Sequence, residues 1–384
     1  MDRSAVKPRR RILYVTGTRA DFGLMRSTLE RIDRDARLSL DVVVTGMHLD
    51  SAYGLTVSEI EQSGLAISAR VSVEPGVPSG ALMAANVGRM ITGFVPAIEA
   101  SAPDIVMLLG DRGEMLAGAI AALHLNVPIA HIHGGERSGT VDEPVRHAIS
   151  KLSNLHLVAT QESRTRLIAM GEAPSGIHVV GAPGLDGLRE LPQRDRTQLA
   201  TDYGLDADRP MALLVYHPVV QEAAAAGEHI TAIVESLLAA QVQIVALKPN
   251  SDAGSAEVRT VLEEREAAGQ IHLFTHLPRV AFAEFMAVAD LMVGNSSSGI
   301  IEAASFGTPV VNIGSRQNLR ERNANVVDVG VIGDDIKKAL VSVLSSPRYA
   351  RANVYGDGHA GERIVNILAE VDLGPLSSGK TNAY

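Results

Sequence analysis

Short apolar, β-branched runs alternate along this chain with longer stretches whose apolar residues recur every three or four positions. In the first half the runs Ile12–Thr16, Asp41–Thr45, Ile105–Leu109, Pro128–His133, Leu155–Thr160 and Ile177–Gly181 predict strands. Gly23–Asp33, Asn86–Ser101, Glu114–Leu123 and Glu162–Met170 predict helices between them. Strands that are apolar throughout, with helices in between, make βαβ units and a parallel sheet covered on both faces. The alternation breaks at Gly181-Ala182-Pro183-Gly184, and the polar segment Leu191–Arg209 reads as a linker. It resumes with Met211–His217, Val242–Lys248, Ile271–Thr275, Leu291–Val293, Pro309–Ile313 and Val326–Val329. The fold class is therefore α/β, with two doubly wound domains expected over 1–188 and 189–368. A tail, 369–384, follows, and its polar part after Gly374 is expected to fray.

Composition narrows the chemistry. With 384 residues the chain is long enough for two cores. The absence of cysteine excludes disulfides, thiolate metal sites and cysteine nucleophiles. A net charge of −9 argues against nucleic acid or an anionic membrane as the main partner. Aromatic residues make up 3% and tryptophan is absent, so no stacking platform for single strands is available. No apolar run in the sequence reads as a membrane span, and Ile12–Val15 is too short for the apolar core of a signal peptide, so a cytoplasmic protein is expected.

In open parallel sheets ligands bind beyond the carboxyl ends of the strands, and the polar clusters of this chain fall at such ends. The stretch from Gly294 to Pro309 leaves a strand through Asn295, Ser296, Ser297 and Ser298 and becomes helical. A helix start with a serine cap is suited to a phosphate, and Glu302 is placed to accept the hydroxyls of a ribose. Read without a ligand, the same stretch is an ordinary strand, turn and helix. Arg19, in Thr16-Gly17-Thr18-Arg19-Ala20-Asp21, can reach a phosphate or carboxylate, or serve as a surface pair at a helix start. Asp111, in Gly110-Asp111-Arg112, is an acid or base in the crevice, a helix N-cap, or both.

The segment from Ala130 to His147 is the richest. On a continuous strand His131 and His133 share a face, and Glu136, Asp142, Glu143, Arg146 and His147 follow. His-x-His with acids nearby suggests a metallohydrolase as a rival reading, although the spacing matches no standard metal motif. His217 and Arg316 fit ligand contact at later strand ends, Arg320 follows the same strand end as Arg316 near the phosphate cradle, and Lys248 fits a surface ion pair as well. Val87, Met90, Ile91 and Val95, at helical spacing, are either core or a subunit interface.

Taken together, Thr18–Asp21, Gly110–Arg112, His131–Glu136, Asp142–His147, His217-Pro218, Gly294–Glu302 and Gly307–Arg316 resemble the UDP-N-acetylglucosamine 2-epimerase family, in its hydrolysing branch, over nearly the whole chain. The resemblance implies two Rossmann-like domains in a glycosyltransferase-B-type arrangement, with the active site between them. It implies that Ser296, Ser297 and Arg316 hold a diphosphate with Arg19 and His217. Glu302 takes the ribose, and Arg112 and Asn250 line the site. It further implies a metal-independent reaction without cofactor, in which a C2 proton and the C1–O bond to UDP are lost to give a glycal. Water then adds to release N-acetylmannosamine. Asp111 and Asp142 match the family's acids, whereas His133 stands where several relatives carry glutamate, leaving His133 or Glu136 to complete the proton transfers. A homodimer or homotetramer is implied as well. The main expectation is UDP-N-acetylglucosamine as substrate. A UDP- or GDP-linked 2,4-diacetamido-trideoxy sugar, or the non-hydrolysing reaction, is the alternative. A glycosyltransferase and a non-catalytic nucleotide-sugar-binding protein are the readings from other classes.

Overall fold

The computed structural model describes residues 9–77, 79–138, 142–191, 194–250, 252–377 and 380–383. The basic start of the chain (residues 1–8), residues 139–141 of the histidine-rich segment and residues 192–193 of the polar segment lie outside the described residues.

Among the described residues thirteen strands form two sheets, and every pairing is parallel. The first contains β1 (Arg10–Thr16), β2 (Leu38–Thr45), β3 (Ile67–Val71), β4 (Ile105–Leu109), β5 (Ile129–Ile132), β6 (Leu155–Val158) and β7 (Ile177–Val179). The second contains β8 (Met211–Val215), β9 (Gln243–Leu247), β10 (His272–Phe274), β11 (Leu291–Gly294), β12 (Val310–Ile313) and β13 (Val326–Val329). The strand orders are β3-β2-β1-β4-β5-β6-β7 and β10-β9-β8-β11-β12-β13. Each is doubly wound, reversing direction between β1 and β4 and again between β8 and β11. Those two reversals open the crevices in which such sheets bind ligands.

The continuous apolar strands are explained by burial on both faces. On β4, Ile105, Met107 and Leu109 join one core layer while Val106 and Leu108 join the opposite one. β3 escapes the sequence pattern because it is an edge strand. Its Ser68 and Arg70 are exposed and only Val71 is buried.

Three boundary expectations need correction. The polar segment 191–209 is no free linker: it contains a helix, Arg196–Tyr203, started by a capping box between Asp195 and Gln198. Leu199 of that helix is buried with Met211 and Phe285 of the second domain, and Arg194 pairs with Glu284 at 2.7 Å. The second unit also does not run unbroken to 368. The helix Ala360–Glu370 crosses back and buries Ile364, Val365 and Leu368 in the first domain's core beside Phe22 and Leu29. Asp186 anchors its start by accepting the N–H groups of Ala360 at 2.9 Å and Gly361 at 2.6 Å. Nor is the tail frayed at its described end. The Lys380 ammonium reaches the carbonyls of Ser150 (2.9 Å) and Ser153 (2.6 Å) and the buried carboxylate of Glu172 (2.6 Å).

The helix Gly80–Ser101 has 22 residues, and an 18-residue window of it has mean hydropathy 1.3, enough by length and composition to cross a membrane. Met90, Phe94, Ala97 and Ile98 of this helix pack against Leu13 and Val106 of the first sheet, with Val87, Ile91 and Val95 partly buried alongside.

Candidate active site

The carboxyl ends of the central strands of both sheets face one cavity of about 370 Å³. Arg19, Asp111, Arg112, His133, Asp142, His217, Asn250, Ser296, Ser297, Glu302 and Arg316 all line it. Glu136 stands behind this lining, buried against His133 and Arg320.

On the first domain, β1 delivers the turn that precedes the helix Arg19–Arg34. Thr18 caps that helix in a capping box with Asp21, and Arg19 leaves its first turn toward the cavity, paired with Glu59 at 2.6 Å. Burial pushes the Asp21 carboxyl up to about 6, even though Thr16 and the Gly17 and Thr18 N–H groups favour its charged form. β4 ends at Gly110, whose φ of +83° allows the sharp turn into Asp111. Asp111 does not cap the next helix, since Arg112 occupies that position. The Asp111 carboxylate instead pairs with Arg146, and Arg320 lies 3.9 Å away. Burial works against the Arg112 charge, but Glu114 and Asp252 override it and hold that guanidinium above its ordinary value.

The two histidines of β5 part company. The strand stops at Ile132, and His133 adopts φ +62°, so His131 and His133 do not share a face. His131 is fully buried. Its Nε2 lies 2.7 Å from the Gly110 carbonyl and its Nδ1 lies 3.0 Å from the Ser150 hydroxyl. A carbonyl can only accept, so Nε2 carries the proton and Nδ1 accepts from Ser150. Burial pushes this ring down to about 3, making it a neutral support of the Gly110 turn. His133 Nδ1 pairs with Glu136, which leaves its Nε2 as the ring nitrogen available to the cavity. Burial alone would raise the Glu136 carboxyl, but Arg320 and His133 hold it below the usual range.

Asp142 opens the helix Asp142–Leu152, and Arg146 one turn later is fully buried, donating to the Glu136 carbonyl at 3.0 Å. Burial, reinforced by Arg320, pushes the Arg146 guanidinium well down. His147 turns away and lies 3.7 Å from Glu143.

The second domain supplies the opposite wall. Gly294, at φ +126°, lies so close to β8 that a Cβ would sit 2.1 Å from the Val215 carbonyl oxygen; only glycine fits. Ser296 caps the helix Ser297–Ile301, which has only five residues before the chain tightens into a 3₁₀ turn, Ala303–Phe306. This is shorter than the sequence pattern predicts. Asn295 clamps the His217 backbone in both directions, at 2.8 Å each. The Asn250 N–H donates to His217 Nδ1 at 3.2 Å, so the neutral ring holds its proton on Nε2. Burial, with Arg316 nearby, pushes His217 down to about 3. It is a neutral donor, suited to a phosphate oxygen. Glu302 is buried and paired with Arg279, and Lys248 pairs with Glu263 at 2.6 Å.

Arg316 joins the two walls, 3.7 Å from Asp142 and 3.3 Å from the Asn295 carbonyl. The sequence reading noted Arg146 and Arg320 without giving either a role, and it passed over Arg279 and Asp252. Arg146 and Arg320 carry a signal nonetheless, since each lies four residues beyond a chosen residue, Asp142 and Arg316. Arg279 opens the helix after β10, five residues beyond Phe274 and just past Pro278, with no chosen residue beside it in the sequence.

Two Rossmann-like sheets facing a charged cleft define a glycosyltransferase-B-type α/β protein. The family profile described as UDP-N-acetylglucosamine 2-epimerase matches residues 30–369. The chain belongs to this family, in the branch of hydrolysing UDP-sugar 2-epimerases. It is 48% identical to the UDP-N,N'-diacetylbacillosamine 2-epimerase (hydrolyzing) of Legionella pneumophila, covering 98% of this chain and 100% of that protein. It is 32% identical to the UDP-N-acetylglucosamine 2-epimerase of Neisseria meningitidis serogroup B, over 97% of this chain and 98% of the relative. Among solved structures, the Neisseria meningitidis UDP-GlcNAc 2-epimerase bound to UDP-GlcNAc superposes with a TM-score of 0.79 at 19% identity, covering 94% of this chain and 100% of that one. The Methanocaldococcus jannaschii enzyme in complex with UDP-GlcNAc and UDP gives 0.79 at 18%, covering 93% and 99%.

Proposed function

We propose that this protein is a hydrolysing 2-epimerase whose substrate is a UDP-linked 2,4-diacetamido-trideoxy sugar of the diacetylbacillosamine type. The sequence-level expectation of UDP-N-acetylglucosamine becomes the second reading, because the 48% identical relative is named for the diacetamido substrate and the 32% identical one for N-acetylglucosamine. The observation that carries the reaction is the meeting of two walls. A diphosphate cradle with Arg316, His217 and Ser296 opposes Asp111, Asp142 and the His133–Glu136 pair across one cavity.

In the first step a base takes the proton from C2 of the sugar while the C1–O bond breaks and its electron pair leaves with UDP. The product is a 2-acetamidoglycal. Arg316 and the His217 Nε2–H meet the charge that develops on the leaving diphosphate, where such an elimination most needs stabilisation. In the second step water adds across the double bond, its hydroxyl to C1 and a proton to C2 from the opposite face. UDP-sugar and water thus become UDP and the free 2-epimer. Inversion at C2 requires a proton acceptor on one face and a donor on the other. Asp111, Asp142 and His133 line the cavity and are the groups to which we assign those roles, with Glu136 setting the His133 tautomer.

The test is to follow the purified protein by proton NMR in deuterated water, with chelator, on each of the two UDP-sugars. Rapid release of UDP and a C2-deuterated free epimer from the diacetamido substrate, with slow or no reaction of UDP-N-acetylglucosamine, is expected. The reverse preference would restore the second reading, and an intact UDP-linked epimer as sole product would overturn hydrolysis.

A further inference from the structure

The turn 315–322 after β12 belongs to the nucleotide-cradle wall, yet its side chains reach across to the acid-bearing wall. Three contacts pin it there: Arg316 to Asp142, Arg320 to Glu136, and the Glu321 carboxylate, which accepts from the Thr160 hydroxyl. On its own side the turn is fastened to Asn295, whose carbonyl accepts from Arg316 at 3.3 Å and from the Gln317 amide at 3.1 Å. Asn295 is also the residue that clamps His217. A continuous set of hydrogen bonds and ion pairs therefore runs from the cradle through Asn295 and this turn to Glu136, and from Glu136 to the His133 ring.

We propose that Arg320 is a positioning residue of the reaction: delivered by the nucleotide-binding domain, it holds Glu136 against His133 and steadies Asp111, so the proton-transfer centre is complete only when that domain is in place. This rests on the reading of the site as a hydrolysing UDP-sugar 2-epimerase. The guanidinium suits the task because one planar fork addresses two carboxylates. Its Nη1 pairs with Glu136 while its Nη2 lies 3.9 Å from Asp111. Arg320 is 9% exposed and Glu136 3%, so the pair is shielded from water and its geometry is held by burial. Arg146 closes the same ring from the first domain, through Asp111 and the Glu136 carbonyl. A lysine is a single point charge and cannot span both carboxylates.

The experiment measures UDP affinity by calorimetry and turnover of the preferred UDP-sugar for wild type, Arg320→Lys, Glu136→Gln and the double variant, with thermal melts as a check on folding. Arg320→Lys is expected to lower kcat by about twentyfold or more while the UDP Kd stays within about threefold, because the residue acts on the proton-transfer wall. In the Glu136→Gln background the same substitution is expected to cost well under the loss it causes in wild type, since its main action passes through Glu136 and only the weaker 3.9 Å approach to Asp111 remains. Fully additive losses, retained turnover, or a fall in UDP affinity matching the fall in kcat would each overturn the proposal. A wild-type protein that neither binds UDP nor turns over UDP-sugars would instead remove the functional reading on which it stands.

Discussion

His133 has φ +62°, a left-handed conformation that a non-glycine residue adopts at some cost, and it has this conformation at the point where β5 breaks off. Strain of this kind, on the order of 1 kcal/mol or more, persists where the surroundings over-determine the residue. Here the hydrogen bond to Glu136 and the His133 N–H, which donates to the Leu157 carbonyl at 3.2 Å, supply that constraint. The two demands on this position separate cleanly in a His133→Gly variant. Glycine takes up the backbone conformation freely, so the variant is expected to melt no lower than wild type. Losing the ring is expected to reduce turnover by about a hundredfold or more, the usual scale for a lost acid–base group. UDP affinity is expected to hold, because the ring lies on the opposite wall from the cradle. A variant that keeps wild-type turnover would show that Asp111 and Asp142 suffice. The pairing of His133 with Glu136 was within reach of the sequence as an i, i+3 spacing. Its separation from His131 was not, because a period of two predicts a shared face only while the strand continues.

At the level of elements, apolar runs buried on both faces announce themselves, and strands such as β4 and β8 fall where their residue types put them. What stayed hidden has a physical reason in each case. β3 buries one face only, so its apolar count is too low to stand out. The helix Arg196–Tyr203 holds its place with a capping box and a few buried apolar side chains, which look like a linker when counted by composition. The helix Ala360–Glu370 has a plain amphipathic stripe, and the sequence shows that it packs but not which domain receives it. That assignment is testable through Ile364, which is fully buried in the first domain's core. Ile364→Ala is expected to destabilise the protein by roughly 3 kcal/mol, the middle of the range for such truncations. In a urea titration followed by probes placed in each domain, the first domain's transition is expected to shift to lower denaturant. A shift confined to the second domain's probe would contradict the packing.

For the molecule as a whole, buried neutral histidines set a limit at acid pH. Burial pushes His48 down to about 4 and both His131 and His217 to about 3. In an unfolded chain each titrates near 6.5. Between those values the unfolded state binds protons that the folded state does not, so stability rises with pH and is lost as pH falls below about 6.5. Asp21 acts in the opposite direction. Its folded carboxyl is pushed up to about 6 from an ordinary value of 3.8, so the stability it adds is present at low pH and lost as pH rises through that window. Taken by themselves, these three histidines against this one aspartate leave the unfolded state with about two more bound protons between pH 6 and 4, and burial lowers His147, His156, His178 and His276 in the same direction. The expected slope is therefore on the order of 2–3 kcal/mol per pH unit. Melting temperatures measured from pH 8 to pH 4.5 are expected to be level down to about pH 6.5 and then to drop steeply. His217 lies in the cradle and contributes its share only while its ring stays neutral. Saturating UDP is therefore expected to raise the curve as bound ligand does generally, without removing the acid limb set by His48 and His131. A flat profile through pH 5 would mean that these rings accept protons in the folded state, and the neutral supporting role assigned to His131 beneath Gly110 would fall with it.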